Sequence, residues 1–433
     1  MWLFLHGEAD MAYFLQIFVI VMFLVVGLGF FNERVTKLTY EIALMLFAII
    51  AGSILVGINS AIHDTAISDV LRDLQTVNLE SFLMDGVLCF MLFAGSCHMR
   101  LYSFREMARQ ITVLSIICTL LGAVFYGVLF YLGSIVLGMG FSLPVCLMFG
   151  SIVAPTDPIA ATSILNKFGL PEKISFLIEG ESLLNDGVGV ALFVCFSGMV
   201  TATEGGGFFS VMTRELFGAV FVGVLVTAVC FPVFYLTRDE NRRIFTSLLA
   251  VAAAYVFCDH YDFSGAIASV VCGVLFSSLR GYFEEHGHVM ELESYDSFWE
   301  VLDNMLNSVL YVLMGLSFVK VLSMKHLVVI SVLAVICNLL ARGGSLLAST
   351  LFIGTIPDGY DRVSFTKLLT WGGLRGGLCI ALAMSTVDMI DKRTYFIIVG
   401  CTYAIVMFTT IVQGLTMKAV YARIDSALKK KNG

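Results

Sequence analysis

The chain of 433 residues is 58% hydrophobic and only 14% charged, with a mean hydropathy of +0.91. This excludes a water-soluble globular protein, in which about a quarter of the residues are charged. The formal net charge of −7 identifies no partner by itself, because in such a chain the placement of Lys and Arg in the loops matters more than their sum.

Apolar stretches of about 20 residues, long enough to cross a hydrocarbon core as helices, recur along nearly the whole length. The ten-residue alternation of a β-barrel is missing. The spacing predicts an all-α polytopic membrane protein with thirteen transmembrane helices, at about 12–31, 40–60, 80–98, 111–137, 143–165, 174–200, 216–236, 243–259, 263–279, 300–319, 327–352, 365–387 and 395–417. An odd number of spans puts the termini on opposite sides. Of 26 Lys and Arg, eighteen fall in one set of alternate loops and the C-terminal tail, six fall on the other side, and Arg342 and Arg375 lie inside spans. The bias puts the C-terminus in the cytoplasm and the N-terminus outside; the expected location is a plasma (inner) membrane. The acidic segment RGYFEEHGHVMELESYDSFWE, residues 280–300, reads as a solvated cytoplasmic loop.

The start, MWLFLHGEAD, lacks the basic n-region of a cleaved signal peptide. All eleven cysteines lie in apolar stretches, as packing residues and not as a disulfide framework. The tail ARIDSALKKKNG is too short to fold alone, and its lysines are suited to anionic lipid. The expectation is one integral membrane domain with no soluble regulatory domain. No zinc spacing, phosphate loop or nucleotide motif is present, so neither cofactor, ATP nor nucleic acid is expected.

An ionised side chain at the bilayer centre costs roughly 2.5–3.5 kcal/mol on insertion scales and usually carries function or pairs with another. The deep charges are Asp157, Glu181, Asp186, Arg342 and Arg375. The fifth span contains VAPTDPI, in which Pro155 and Pro158 remove two backbone donors and leave carbonyls one turn back unpaired. The helix is expected to unwind there, with Thr156 and Asp157 lining the gap. The sixth span carries IEGESLLNDGVGV. Helical spacing puts Glu181 with Asn185 on one face and Ser182 with Asp186 on an adjacent one, a set of hard oxygens suited to a small alkali cation. In the twelfth span Arg375 stands between Gly372–Gly373 and Gly376–Gly377, and four glycines in six residues weaken a helix much as the prolines do. The alternative for the glycines is a small-residue packing seam. Spans five and twelve are seven apart and so run in opposite directions. Two interrupted helices so related are the signature of an inverted-repeat transporter, with spans four to six repeated as eleven to thirteen. Where the breaks cross, Asp157 balances half-helix N-termini and Arg375 half-helix C-termini.

The strings APTDP, GESLLNDGV and GGLRGGL, in that order and spacing, resemble the cation:proton antiporter 1 family, which comprises NhaP-type prokaryotic Na⁺/H⁺ antiporters and animal sodium/proton exchangers. The resemblance runs through the whole chain. It implies an NhaA-like antiporter fold with two crossed interrupted helices and a homodimer. Each protomer would have a mobile core, about 111–200 and 327–417, and dimerisation or scaffold helices, about 12–98 and 216–319. It implies exchange of Na⁺, or Li⁺ or K⁺, for H⁺ by an elevator-like movement of the core, serving sodium transport and pH homeostasis. By motif, Asp186 is the ion- and proton-binding carboxylate, with Thr156, Asp157 and Ser182 around the ion. Asn185 implies electroneutral 1:1 exchange. Glu181 partners a buried arginine, Arg342 in preference to Arg375. Archaeal relatives carry a glutamate in the third span where this chain has MLFAGSCHM, with Ala94 at the corresponding place, which puts any ligand from that span in doubt.

The mechanism so implied is competition: a proton or a cation neutralises Asp186, never both, and only the neutral complex crosses the barrier. A K⁺-preferring antiporter of the same fold is the nearest alternative. An intramembrane aspartyl protease using Asp157 and Asp186 fits less well, because Thr156, Ser182, Asn185 and two buried arginines suit ion coordination better. A cation channel would need a continuous pore.

Overall fold

The computed structural model describes residues 8–36, 38–62, 87–97, 101–157, 169–201, 208–261, 263–288, 290, 292–322 and 328–432. Among these the regular structure is entirely helical. In chain order the helices are α1 (Glu8–Phe31), α2 (Tyr40–Ile62), α3 (Leu88–Cys97), α4 (Leu101–Thr112), α5 (Thr119–Val136), α6 (Leu143–Ile152), α7 (Glu172–Thr201) and α8 (Phe208–Leu236). There follow α9 (Glu240–His260), α10 (Gly265–Glu285), α11 (Glu293–Leu322), α12 (Val328–Ile353), α13 (Arg362–Gly372), α14 (Gly377–Met384), α15 (Lys392–Met407) and α16 (Gly414–Asn432). Wide π-helical turns at Val113–Cys118 and Phe408–Gln413 carry α4 into α5 and α15 into α16.

Among the described residues nine helical stretches are long and apolar enough to cross a membrane. They coincide with nine of the thirteen expected spans. The other four differ from a simple continuous span. The third is described only from Val87, and the fifth ends as helix at Ile152. The tenth lies within α11, which begins seven residues early, at Glu293. The twelfth is divided into α13 and α14.

The segment expected to be a solvated loop at 280–300 is mostly helix. Helix α10 continues to Glu285 and α11 starts at Glu293. Two of its acids pair with Arg280, which donates across the turn to both carboxylate oxygens of Asp296 at 2.6 and 2.9 Å and, along its own helix, to Glu284 at 3.0 Å. The backbone N–H of Ser294 donates to Glu240 at 2.7 Å. Tyr295 and Trp299 are buried in the apolar cluster formed with α3, α8, α9 and α10, and the Trp299 indole donates to Ser247 at 3.1 Å. Burial of those two rings, which the surrounding charges mask in the sequence, is what extends the helix.

Two sets of neighbours organise the packing. Helix α6 packs between α5 and α7, α5 against α12, and α12 against α13 and α15, with α14 on α15. Separately, α10 packs against α3, α8 and α9, and α11 lies along α2 and α3. The α5–α6 crossing is close because glycine stands at it: a β-carbon at Gly127 would come 2.8 Å from the Leu147 Cα, and one at Gly150 would run into the Ala123 carbonyl. Helix α6 opens with Ser142 extended and Pro144 in its first turn, where the missing N–H has no helical acceptor to lose. Helix α7 opens after Gly169 (φ 77°) and Pro171.

Candidate functional site

Helix α6 ends at Ile152, and residues 153–157 are not helical; α13 ends at Gly372, and α14 does not begin until Gly377. The two unwound segments meet. The backbone N–H of Asp157 donates to the Leu374 carbonyl at 2.9 Å, so part of the backbone left unpaired by each break is satisfied by the other. Pro155 lies in the first break, while Pro158 is outside the described residues.

The carbonyls freed at Ala154 and Pro155 accept from Nη1 of Arg375 at 2.5 and 2.8 Å. The other side of that guanidinium donates to Asn338 Oδ1 of α12, from Nη2 at 3.1 Å and Nε at 3.3 Å. Arg375 is itself held by backbone bonds: its N–H donates to Thr409 at 3.1 Å, and its carbonyl accepts from Thr410 at 3.4 Å. It thus stands at the C-terminal end of α6, where a helix presents carbonyls and negative potential.

Asp157 occupies the opposite position. Its carboxylate rests against Gly376, which caps the N-terminal end of α14, and accepts a hydrogen bond from the Tyr311 hydroxyl of α11. The glycine run makes these approaches possible. A β-carbon at Gly376 would stand 2.8 Å from Asp157 Oδ2, one at Gly373 would stand 2.8 Å from Arg342 Nε, and one at Gly377 would fall inside the Leu310 side chain. Gly372 is different: its nearest such neighbour is Met417 at 3.8 Å, an ordinary contact. None of the four has a left-handed backbone. Three of them supply room for a side chain from another part of the chain, at the place where the backbone also unwinds.

Helix α7 brings the remaining candidates. Thr156 is buried between two of them: its hydroxyl is 2.8 Å from Ser182 Oγ and accepts from Asn185 Nδ2 at 2.8 Å, while its N–H donates to Asn185 Oδ1 at 3.2 Å. Asn185 therefore shares Thr156 with Ser182, three residues away, although the four-residue spacing grouped it with Glu181. Glu181 turns instead to α12, where Arg342 Nη1 donates to it at 2.6 Å. This pair is 1% and 6% exposed. Arg375 is not part of it.

Asp186 faces a cavity of about 110 Å³. Thr156, Asp157, Asp303 and Asn307 are among its polar lining, and Leu88, Met91, Leu92 and Leu183 among its apolar lining. Both Asp157 and Asp186 are half-buried, open to this space. Among the described residues Asp186 has no ion pair. On α3, Gly95 reaches the cavity and Ala94 is buried, so this part of α3 contributes no acid.

Three residues at the site were not singled out from the sequence: Asp303, Asn307 and Tyr311, all on α11. Their spacing of four is a helical face, visible in EVLDNMLNSVLY. Asp303 lies close to the expected start of the tenth span at 300, where an acid reads as interfacial. The true helix starts at Glu293 and carries it about 15 Å along the axis, from a rise of 1.5 Å per residue.

Residues 19–423 match the family described as sodium/hydrogen exchanger, transmembrane. The chain is 28% identical over 422 residues to the Na(+)/H(+) antiporter NhaP of Pseudomonas aeruginosa, covering 94% of this chain and 96% of that one. It is 30% identical over 327 residues to the Na(+)/H(+) antiporter NhaH of Halobacillus aidingensis, covering 71% and 77%. Its fold is similar to the structure of the sodium proton antiporter MjNhaP1 from Methanocaldococcus jannaschii at pH 8, with a TM-score of 0.63 at 18% identity over 88% of this chain and 96% of that one. With its motifs at two joined helix breaks and a family match spanning nearly its whole length, the chain belongs to the transmembrane sodium/hydrogen exchanger family, whose members are secondary transporters and not enzymes.

Proposed function

We propose that this protein exchanges Na⁺ for H⁺ across the membrane, with Asp186 as the shared binding group. The observation that carries this reading is an acid with no ion pair among the described residues, facing a cavity beside two joined helix breaks. A carboxylate so placed cannot cross an apolar barrier charged. A proton or a cation removes the charge, and one excludes the other, so coupling needs no further component. Thr156 and Ser182 offer hydroxyl oxygens next to it, and Asn185 holds Thr156 in place. Asp157 is committed to Tyr311 and the α14 N-terminus, which favours a role in shaping the site and speaks against a protease dyad with Asp186.

Thirteen spans, two crossed broken helices, an inner-membrane location with the C-terminus cytoplasmic, and a homodimer belong to the same proposal. So does electroneutral exchange by movement of one part against another. Helices α5–α7 with α12–α15 form the core and α1–α3 with α8–α11 the scaffold, a division supported by the two sets of packing neighbours.

The test is exchange in inverted vesicles, read by dequenching of a pH-sensitive dye as Na⁺, Li⁺ and K⁺ are titrated. Asp186→Asn should insert and abolish cation-dependent proton movement; exchange at the normal rate would overturn the reading. In the unaltered protein, competition requires the apparent KM for Na⁺ to rise as pH falls, approaching about tenfold per pH unit in the acidic limit.

A further inference from the structure

We infer that Asp303 is the recruiting carboxylate of the ion path: it draws the monovalent cation into the cavity and delivers it to Asp186, which lines the same cavity. The inference rests on the exchange reading of that cavity and extends it to a second acid.

Asp303, Asn307 and Tyr311 form one face of α11, and that face is turned to the broken helices. Tyr311 fixes the register, because its hydroxyl is bonded to Asp157. One turn earlier Asn307 is 5% exposed and donates to Asp303 twice, from Nδ2 to Oδ1 and to the backbone carbonyl, both at 3.0 Å. Asn307 thereby holds the Asp303 carboxylate against the cavity through one oxygen only. Among the described residues no Lys or Arg pairs with Asp303. An acid built into the wall, braced by an amide and with no counter-ion among the described residues, makes a cation the natural occupant of the space before it. The cavity is also lined by Leu88, Met91 and Leu92, and an apolar lining focuses the field of the acids and raises the local cation concentration.

Asp303 and Asp186 also come from different packing groups. Helix α11 lies with α2 and α3, while Asp186 rides on α7 beside α6. A cation passed from Asp303 to Asp186 therefore moves from one group of helices to the other. Asp303 should govern how readily the cation arrives and not how fast the loaded carrier turns over.

Asp303→Asn, compared per molecule inserted in the membrane, should raise the apparent KM for Na⁺ roughly tenfold, the lower end of electrostatic focusing in a charged cleft, with the maximal rate within about twofold. Asp303→Glu should restore most of the affinity. The difference between wild type and Asp303→Asn should narrow at high concentrations of an impermeant salt, which screens the field. An unchanged KM in Asp303→Asn overturns the inference, as does a lost maximal rate at unchanged KM. Asp186→Asn in the same assay separates the two levels. If that variant is inactive and Asp303→Asn is normal, only the recruiting role fails; if Asp186→Asn exchanges normally, the reading of the cavity itself fails.

Discussion

Glu181 and Arg342 form a buried ion pair, 2.6 Å between Oε1 and Nη1, that joins α7 to α12. Removing one member of such a pair leaves an uncompensated buried charge and costs about 3–5 kcal/mol, whereas replacing both by apolar residues is often neutral. Glu181→Leu alone should therefore sharply lower the thermal unfolding temperature in detergent, and Glu181→Leu with Arg342→Met should recover most of the loss. Additive effects in the double variant would show that the pair is not the coupling element.

Arg375 should tolerate no substitute that loses its planar fork. Its Nη1 serves two carbonyls while Nε and Nη2 serve Asn338. Arg375→Met leaves the Ala154 and Pro155 acceptors buried without this donor, at about 1–3 kcal/mol each. Arg375→Lys keeps the charge but cannot span both sides. Unfolding temperatures are expected in the order wild type, Lys, Met. Equal values for Lys and wild type would mean that charge alone suffices.

Gly376→Ala should stop exchange while Gly343→Ala is tolerated. The first puts a methyl group 2.8 Å from Asp157 Oδ2; the second finds nothing nearer than Thr370 at 3.8 Å. Transport per inserted protein checks both. Normal exchange in Gly376→Ala would mean that Asp157 can shift without consequence for the site.

Asn185→Asp should remain active and Asn185→Leu should not. With Asp at 185 the amide donor to Thr156 is lost, but the Thr156 hydroxyl can rotate and donate to the new carboxylate, as its N–H already does to Oδ1. Leucine leaves both groups of Thr156 without that partner. The comparison is made on exchange rate and on unfolding temperature, and an active Leu variant would remove Asn185 from the site.

Much of the site was legible because its signals are local. Pro155 withholds a backbone donor wherever it stands, and a carboxylate such as Asp186 in an apolar span is conspicuous without any neighbour. The glycines were legible as a weak point in the twelfth span. Their second role, clearing space for Asp157, Arg342 and Leu310, depends on which side chains arrive there. The acidic stretch after Arg280 misled in the other direction, since its charges read as solvated while Tyr295 and Trp299 are packed inside.

The sequence by itself determined that the chain is built of membrane-length apolar helices, that helix is lost at Pro155 and in the glycine run around Arg375, and that Asp157, Asp186 and the buried arginines are the charges to account for. Each of these follows from backbone chemistry or solvation acting on a few adjacent residues. Only the tertiary structure decided that Arg342, and not Arg375, meets Glu181, that Arg375 serves the carbonyls of the first break, and that α11 brings Asp303 and Asn307 to the cavity and Tyr311 to Asp157. Those pairings depend on the rotation and axial register of helices far apart in the chain, which are set by close packing across the whole bundle.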